Sequence, residues 1–269
     1  MSRLLVSTSE SLLLVDLKSE TIAPLHMGSG LYFGIAKGPD GSVYVAARNR
    51  MVSSAAAIEN ERGSILIFSS DFVLQQEVSA PFPLRDMHGV LWHDSALWIT
   101  CSRDNFIAIF DGSNWRKWYP TQEDIGATSD IHHYNTLGII HNDLCLLAHN
   151  NGDSELFIFD QQSLTLQTRL PLGRIAHNIW CEGGVYFTCS SGEGDIVGSD
   201  GFRFHVGGFP RGYTQLPDGR RAVGINEYTE RAARDKTTSC IRIYDTTWNP
   251  DDEIAMPIGS GMLLDVVSI

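Results

Sequence analysis

The stretch "ALWITCSRDNFIAIFD" (residues 96–111) contains two short apolar segments joined by a polar turn. Both segments are rich in the β-branched and aromatic residues typical of buried strands. The second segment, "IAIFD", has counterparts along the whole chain, which end 39 to 53 residues apart. This spacing is close to the period of a four-stranded propeller blade. The six segments end at Asp16, Ser69, Asp111, Asp160, Ser199 and Asp245.

Two further strands are expected in most of these repeats. A similar apolar segment precedes each one, and in five repeats a third segment lies upstream, often before turn sequences such as "PDG", "HND" and "EGG". The first repeat lacks this innermost strand, and "MLLDVVSI" (262–269) can supply it. The sequence therefore predicts an all-β protein with a single six-bladed β-propeller domain over residues 1–269. The C-terminal strand completes the N-terminal blade and closes the ring.

The composition restricts the classes of partner. The 269-residue chain has a formal net charge of −12, which argues against binding to nucleic acid or to an anionic membrane and could favour cationic ligands or metal ions. The N-terminus resembles neither a signal peptide nor a membrane span. The five cysteines form no CxxC pair, so we expect free thiols and a cytoplasmic location.

Three histidines recur in phase with the blades. His88, His133 and His177 lie near the starts of consecutive innermost strands, 45 and 44 residues apart, so they are expected at one mouth of the central channel. Three neutral imidazoles can hold a divalent transition metal (Zn, Fe, Mn, Ni or Cu) and leave positions open for water or substrate. His132 is the alternative to His133, since neighbouring side chains of a strand point in opposite directions. The simpler interpretation is that these histidines only line the channel.

Other polar residues are expected at the same mouth. We predict catalytic roles for three of them: Glu227 or Asp265 would transfer protons, and Arg211 would orient an anionic group. Asp86 and Asp130 could fix the imidazole tautomers. Residues predicted to contact substrate are His149, Asn135, Asn178 and Arg48.

Two long insertions are expected on the histidine side. Residues 48–64 and 226–239 each join the second and third strands of a blade. Long loops within a compact domain are usually functional. They are candidates for a lid over the channel mouth or for a contact between copies of the chain in a homo-oligomer.

The order of motifs resembles a known group of proteins. "DMHGVLWHDSALW", "HHYNTLGIIHNDLCLLAHNNG", "AHNIWCEGGVYFTCSSGEG" and "GFPRGYTQLPDGRRAVGINEYTER" resemble, in this order, an uncharacterised family of bacterial six-bladed propellers. More distantly, the chain is similar to the gluconolactonase and strictosidine synthase superfamily, whose members use the mouth of the central channel. That resemblance implies a divalent cation held by acidic and asparagine side chains, whereas this chain offers histidines.

The expected activity follows from the three histidines. The sequence predicts a metal-dependent enzyme, either a hydrolase, a lyase or an oxygenase, that acts on a small polar or anionic molecule. It contains no GxSxG, P-loop or GxGxxG motif that would indicate serine hydrolysis or nucleotide binding. The alternative is a non-catalytic propeller scaffold that binds a protein partner or a ligand through its long loops.

Overall fold

A computed structural model of the chain describes residues 3–269, apart from the side chain of Arg231. Within this range the strands form six four-stranded antiparallel sheets arranged as the blades of a propeller. The first three blades contain the following strands: β1 (Arg3–Thr8), β2 (Ser11–Asp16), β3 (Thr21–Met27), β4 (Tyr32–Lys37), β5 (Val43–Ala47), β6 (Ser64–Phe68), β7 (Leu74–Val78), β8 (Met87–His93), β9 (Ala96–Cys101), β10 (Phe106–Phe110) and β11 (Trp115–Trp118).

The other three blades continue the same order along the chain. They contain β12 (Tyr134–Ile140), β13 (Asp143–Ala148), β14 (Asp153–Asp160), β15 (Leu166–Arg174), β16 (Ala176–Glu182), β17 (Val185–Ser190), β18 (Asp195–Gly198), β19 (Arg203–His205), β20 (Phe209–Gln215), β21 (Arg221–Asn226), β22 (Ser239–Tyr244) and β23 (Pro250–Ala255). The final strand, β24 (Leu263–Ser268), pairs with β1. This pairing confirms the predicted six-bladed ring and its closure by the C-terminal strand.

The innermost strands are β24, β4, β8, β12, β16 and β20, and each lies beside the next around the axis. Two glycines allow this close approach. A Cβ atom on Gly34 would lie 2.5 Å from the backbone oxygen of His88, and one on Gly89 would lie 2.6 Å from that of Asn135. The core fills the spaces between blades, where large apolar side chains of neighbouring sheets pack together. The outermost strands are mostly exposed, as β7 illustrates.

Helical structure among the described residues is confined to short 3₁₀ turns at Ile58–Asn60, Ser102–Asp104, Gln122–Asp124 and Arg231–Lys236. In this part of the chain no helix has the length and apolar character needed to cross a bilayer. Two of the turns belong to the long insertions, which extend from the ring of blades between β5 and β6 and between β21 and β22.

Candidate functional site

Irregularities in strand pairing position the polar side chains at the axis. The pairing of each innermost strand with its neighbour shifts once, and in four of them the shift spans Gly34, His88, Asn135 and Asn178. A fifth shift includes Arg211. Such bulges redirect side chains and often lie next to active sites. Here they turn these residues toward the central channel rather than into the blades.

The first cavity, which we call the histidine pocket, has a volume of about 160 Å³. Four imidazoles follow one another along its wall: the ring centroids of His88 and His133 are 4.9 Å apart, those of His133 and His149 4.6 Å, and those of His149 and His177 5.2 Å. The structure thus brings the three in-phase histidines to one cavity and adds His149. Arg48, Asp86, Arg211 and Arg234 also line it.

His133 and His177, which line the histidine pocket, each have a nitrogen lone pair on Nε2. The Nδ1 atom of His133 lies 2.5 Å from the carboxylate of Asp130, which only accepts hydrogen bonds, so Nδ1 carries the proton. The Nδ1 atom of His177 lies 2.7 Å from Ser191 Oγ, whose own proton is donated to the backbone oxygen of Pro210. Nδ1 of His177 is therefore also the donor. In both rings the network assigns the lone pair to Nε2.

His88 and His149 have the opposite tautomer. Arg211 Nη2 donates to His88 Nδ1 over 2.9 Å, and the backbone nitrogen of Asn151 donates to His149 Nδ1 over 3.0 Å. A guanidinium and an amide are donors only at these nitrogens, so Nδ1 of each imidazole must accept. The Nε2 atoms of both neutral rings therefore carry the protons. The Nε2 atom of His88 is buried and lies 3.4 Å from Asp86 Oδ1, so His149 is the ring whose Nε2–H group remains without such a neighbour.

Burial keeps most of these imidazoles neutral. It lowers the pKa of His88 to about 3 and that of His149 to about 2, and it also holds the pKa of His177 well below its ordinary value. Neighbouring imidazoles and the positive charge of Arg211 add to the effect. At neutral pH these three rings are uncharged, which is the state that the tautomers above require.

A buried ion cluster supports one side of the pocket. Arg48 donates to both carboxylate oxygens of Glu61, at 2.8 and 2.6 Å, and to Asp86 at 2.5 Å. Burial alone would raise the pKa of Asp86, but Arg48, His88 and His133 outweigh it and hold that pKa well below the ordinary value. Asp86 (φ +52°) and His133 (φ +49°) both adopt left-handed backbone conformations that are strained for residues other than glycine. The predicted substrate contact Arg48 is thus committed to an internal ion cluster.

Asp86, His88 and His133 could hold a metal ion, since each offers a ligand atom and these atoms lie within 4.8 Å of one another. The tautomers constrain this possibility. His88 can bind a metal through Nε2 only if Nδ1 carries the proton, and Nδ1 now accepts from Arg211. In contrast, His133 and His177 already have the tautomer of a metal ligand. Among the described residues the group with convergent ligand atoms thus contains Asp86 in place of the predicted His177, and His88 can join it through Nε2 only after Arg211 moves away.

A second cavity, the channel cavity, has a volume of about 190 Å³ and contains several predicted residues. It shares His88, His177 and Arg211 with the histidine pocket, so these side chains separate the two spaces. Asp265 and Asn178 lie in the channel cavity, where Asn178 Nδ2 donates to Asp265 Oδ1 over 3.1 Å. The structure thus places Asp265 and Asn178 on the other side of this layer from the four-imidazole wall.

Asn135 also lines the channel cavity. Its Nδ2 atom is buried and has no hydrogen-bond partner among the described residues. It is therefore available to a bound molecule in that cavity.

Two predicted residues lie outside both cavities. Glu227 is exposed and accepts a hydrogen bond from Thr238 Oγ1 at 2.9 Å, so the structure does not bring it to the imidazoles. His132, the alternative to His133, hydrogen-bonds Glu123 at 2.9 Å and packs edge-on against Phe157. Both histidines precede β12 and His133 has a left-handed backbone conformation, so the alternation of strand side chains used in the prediction does not apply to them.

The two long insertions meet over the histidine pocket. Asp235 accepts hydrogen bonds from the backbone nitrogens of Val52 and Ser53, at 3.3 and 2.7 Å. Val52 and Arg234, one from each insertion, line the pocket. The insertions thus form a joined cover over the pocket in this structure.

Sequence reasoning did not identify Glu61, Ser191 or Arg234 as site residues. Glu61 and Arg234 lie within insertions that it singled out, but nothing in their local sequence distinguishes them from solvated charges. Ser191 follows β17 and contacts His177 only through the fold.

Comparisons with known proteins support the fold. No family model matches the chain, and no curated protein matches its sequence. A chain of the nidogen/laminin complex matches with a TM-score of 0.68 at 13% identity, covering 100% of this chain and 98% of that one. The periplasmic gluconolactonase of Pseudomonas aeruginosa matches with a TM-score of 0.57 at 12% identity, covering 100% and 99%.

A third similar structure is a catalytically inactive histidine-to-alanine variant of virginiamycin B lyase from Staphylococcus aureus with quinupristin. It matches with a TM-score of 0.57 at 12% identity, covering 87% of this chain and 73% of that one. The structural neighbours thus include propeller enzymes. At these identities the likeness establishes the fold alone.

Proposed function

We propose that the protein is an enzyme that performs acid–base catalysis on a small polar or anionic molecule in the histidine pocket. One observation carries the proposal: four adjacent imidazoles line a single cavity, and their hydrogen-bond partners leave Nε2 of His133 and His177 as acceptors and Nε2 of His149 as a donor. Histidines that only lined a channel would not need both acceptor and donor Nε2 atoms side by side. The presence of a lyase and a lactonase among proteins of the same fold supports the proposal.

His133 is the proposed general base. Its Nε2 atom accepts the proton, and the Asp130 carboxylate at Nδ1 orients the ring and stabilises the imidazolium that forms. The Nε2–H group of His149, 4.6 Å away between ring centroids, then donates a hydrogen bond to an oxygen on which negative charge develops. If His133 takes a proton from carbon and the bond to a leaving group on the adjacent carbon breaks with its electron pair, the reaction is an elimination by a lyase. If it takes a proton from water, the hydroxide adds to a carbonyl carbon and the bond to the leaving oxygen breaks, which is a hydrolysis.

A metal-dependent form of the proposal remains a defined alternative. A divalent ion held by Asp86, His88 and His133, with His177 as the further predicted ligand, would act as a Lewis acid when bound. This form requires Arg211 to release His88 Nδ1, whereas the metal-independent form uses the hydrogen bonds as they stand. We therefore favour acid–base catalysis by the side chains.

The experiment is a substrate search that needs no prior identity. The purified protein is incubated with a mixture of small metabolites, lactones and hydroxy acids, and consumption is followed by NMR and mass spectrometry. We expect the wild type to consume at least one compound, and His133→Gln and Asp130→Asn to consume it at least about a hundredfold more slowly. His93→Gln is the matched control, because His93 lies at the end of β8 and does not line the pocket.

Two results would contradict the proposal. Consumption of nothing by the wild type would favour the scaffold alternative, and equal rates in wild type and His133→Gln would remove His133 as the base. Elemental analysis of the same samples separates the two forms. About one equivalent of a transition metal that disappears in both His88→Ala and His177→Ala would favour the metal-dependent form.

A further inference from the structure

Arg211 is a buried cation without an anionic partner. Only 5% of the residue is exposed. Its Nη2 atom donates to neutral His88, and its guanidinium packs over the ring of Phe33, with 5.1 Å from Cζ to the ring centroid. Within residues 3–269 no carboxylate lies within 4 Å of it, and its buried Nε has no hydrogen-bond acceptor.

Burial of the Arg211 charge costs free energy unless an anion pairs with it. Buried charges in proteins are normally paired, because removal from water disfavours the charged form. Burial lowers the pKa of Arg211 to about 9, so the guanidinium still carries its charge at neutral pH. A charged donor that faces a cavity and has an unused N–H group is suited to bind an anion.

The other charges around the pocket point to the same conclusion. Arg48 is neutralised within its cluster by Glu61 and Asp86. Arg234, carried by the second insertion, lines the pocket, and its charge contributes to the lowered pKa of Arg211. Asp265 and Asp86 oppose this effect without contacting the guanidinium, so an anion bound at Arg211 would supply the close partner that it lacks.

The pocket also limits the size of the ligand. A volume of about 160 Å³ holds on the order of ten water-sized groups. Apolar side chains, among them Phe33, Phe209 and Leu264, form much of the remaining lining. The cavity therefore suits a small ligand with a short apolar part.

We propose that the substrate is a small acid whose carboxylate or phosphate group binds to the Arg211 guanidinium, with Arg234 of the covering insertion approaching the same group. The bound acid is a substrate only if the protein is the enzyme proposed above. The anion site itself is tested without measuring turnover. Binding at Arg211 would hold the rest of the molecule against the His133 side of the pocket, where the proposed base is located.

The test measures anion binding to the full-length protein by isothermal titration calorimetry and by thermal unfolding at pH 7. The probes are acetate, malonate and inorganic phosphate, with sodium chloride at equal ionic strength as the reference. We expect at least one probe to bind with a one-to-one stoichiometry and to raise the unfolding temperature. A preference between malonate and phosphate identifies the chemical class of the acid.

Variants locate the site. Arg211→Gln should weaken binding about tenfold or more, the loss expected for a charge-assisted hydrogen bond. Arg234→Gln, on the insertion, should weaken it by a smaller factor and provides a second test should Arg211→Gln fail to fold. Arg220→Gln should bind as the wild type does, because Arg220 pairs with Asp218 and Asp251 on the surface.

The outcomes separate this inference from the proposed function. If no probe binds to the wild type, or if the Arg211 and Arg234 variants bind as tightly as the wild type, the anion site is refuted even where turnover is found. If binding depends on Arg211 but the metabolite search shows no turnover, the anion site stands and the enzyme proposal fails.

Discussion

Replacement of Asp265 by asparagine should change how the stability of the protein depends on pH. The Asp265 carboxylate lies in the channel cavity and accepts hydrogen bonds from the backbone nitrogens of Ile35 and Val266 and from Asn178, at 2.9 to 3.1 Å. Burial nevertheless dominates and raises its pKa from 3.8 to about 6. The folded protein therefore binds this proton more tightly than the unfolded chain does.

The sign and size follow from linkage. Because the folded-state pKa is the higher one, protonation of Asp265 stabilises the fold fully below pH 3.8, and this stabilisation is lost as pH rises through about 6. A difference of roughly two pKa units corresponds to about 3 kcal/mol in total, of which about 2 kcal/mol falls between pH 4.5 and pH 8. Asparagine does not titrate, so the stability of Asp265→Asn does not decrease for this reason as pH rises.

The assay is urea unfolding of wild type and Asp265→Asn at several values of pH and constant ionic strength. The variant has a fixed cost from its altered hydrogen bonds, but that cost cancels in the change with pH. We expect the unfolding free energy of the variant minus that of the wild type to be about 2 kcal/mol larger at pH 8 than at pH 4.5. Asp86→Asn should differ from the wild type by a nearly constant amount in this window, because the pKa of Asp86 is lowered and its contribution to stability is lost only as pH falls below about 3.8. A difference between Asp265→Asn and wild type that stays constant with pH would refute the reasoning.

Two further predictions concern the packing that positions the site. Arg48→Met should lower the unfolding free energy by about 3–5 kcal/mol in urea titrations, because Asp86 loses its arginine and Glu61 keeps only the longer contact to Arg50 at 3.6 Å; a loss below about 1 kcal/mol would mean that water reaches the cluster. Gly224→Ala should destabilise by at least about 1–3 kcal/mol, since its Cβ would lie 2.2 Å from the backbone oxygen of Arg211. Gly138→Ala, whose Cβ would meet only a side chain at 3.5 Å, is the matched control, and equal thermal shifts in both variants would contradict this account.

The architecture could be predicted because a propeller repeats one local pattern. Each blade must bury its apolar strands against its neighbours, so the period of about 45 residues is visible without knowledge of any long-range contact. Ring closure was accessible for the same reason: the first repeat lacked one strand, and "MLLDVVSI" remained at the other end of the chain. Strand order and blade number therefore followed from local sequence.

The positions of individual side chains could be predicted from the sequence only in part. The blade period brings His88, His133 and His177 to one end, and the structure places them in one pocket. Which nitrogen of each ring is free depends on partners that are distant in sequence: Arg211 for His88 and Ser191 for His177. Glu227 starts an insertion on the correct side of the ring, yet its side chain turns to Thr238 instead. Loop side chains do not follow the period of the blades.

The charge of the whole chain gives a misleading indication of what the pocket binds. A net charge of −12 suggests cationic ligands or metal ions, but the pocket itself is lined by Arg48, Arg211 and Arg234 against Asp86. Exposed carboxylates act on a ligand through water and salt, where charges separated by more than about 8 Å are largely screened. Arg211 acts at contact distance in a site removed from water, where the same unit charge has a much stronger effect. The few buried charges should therefore decide the sign of the ligand, while the many exposed ones slow the approach of an anion at low ionic strength.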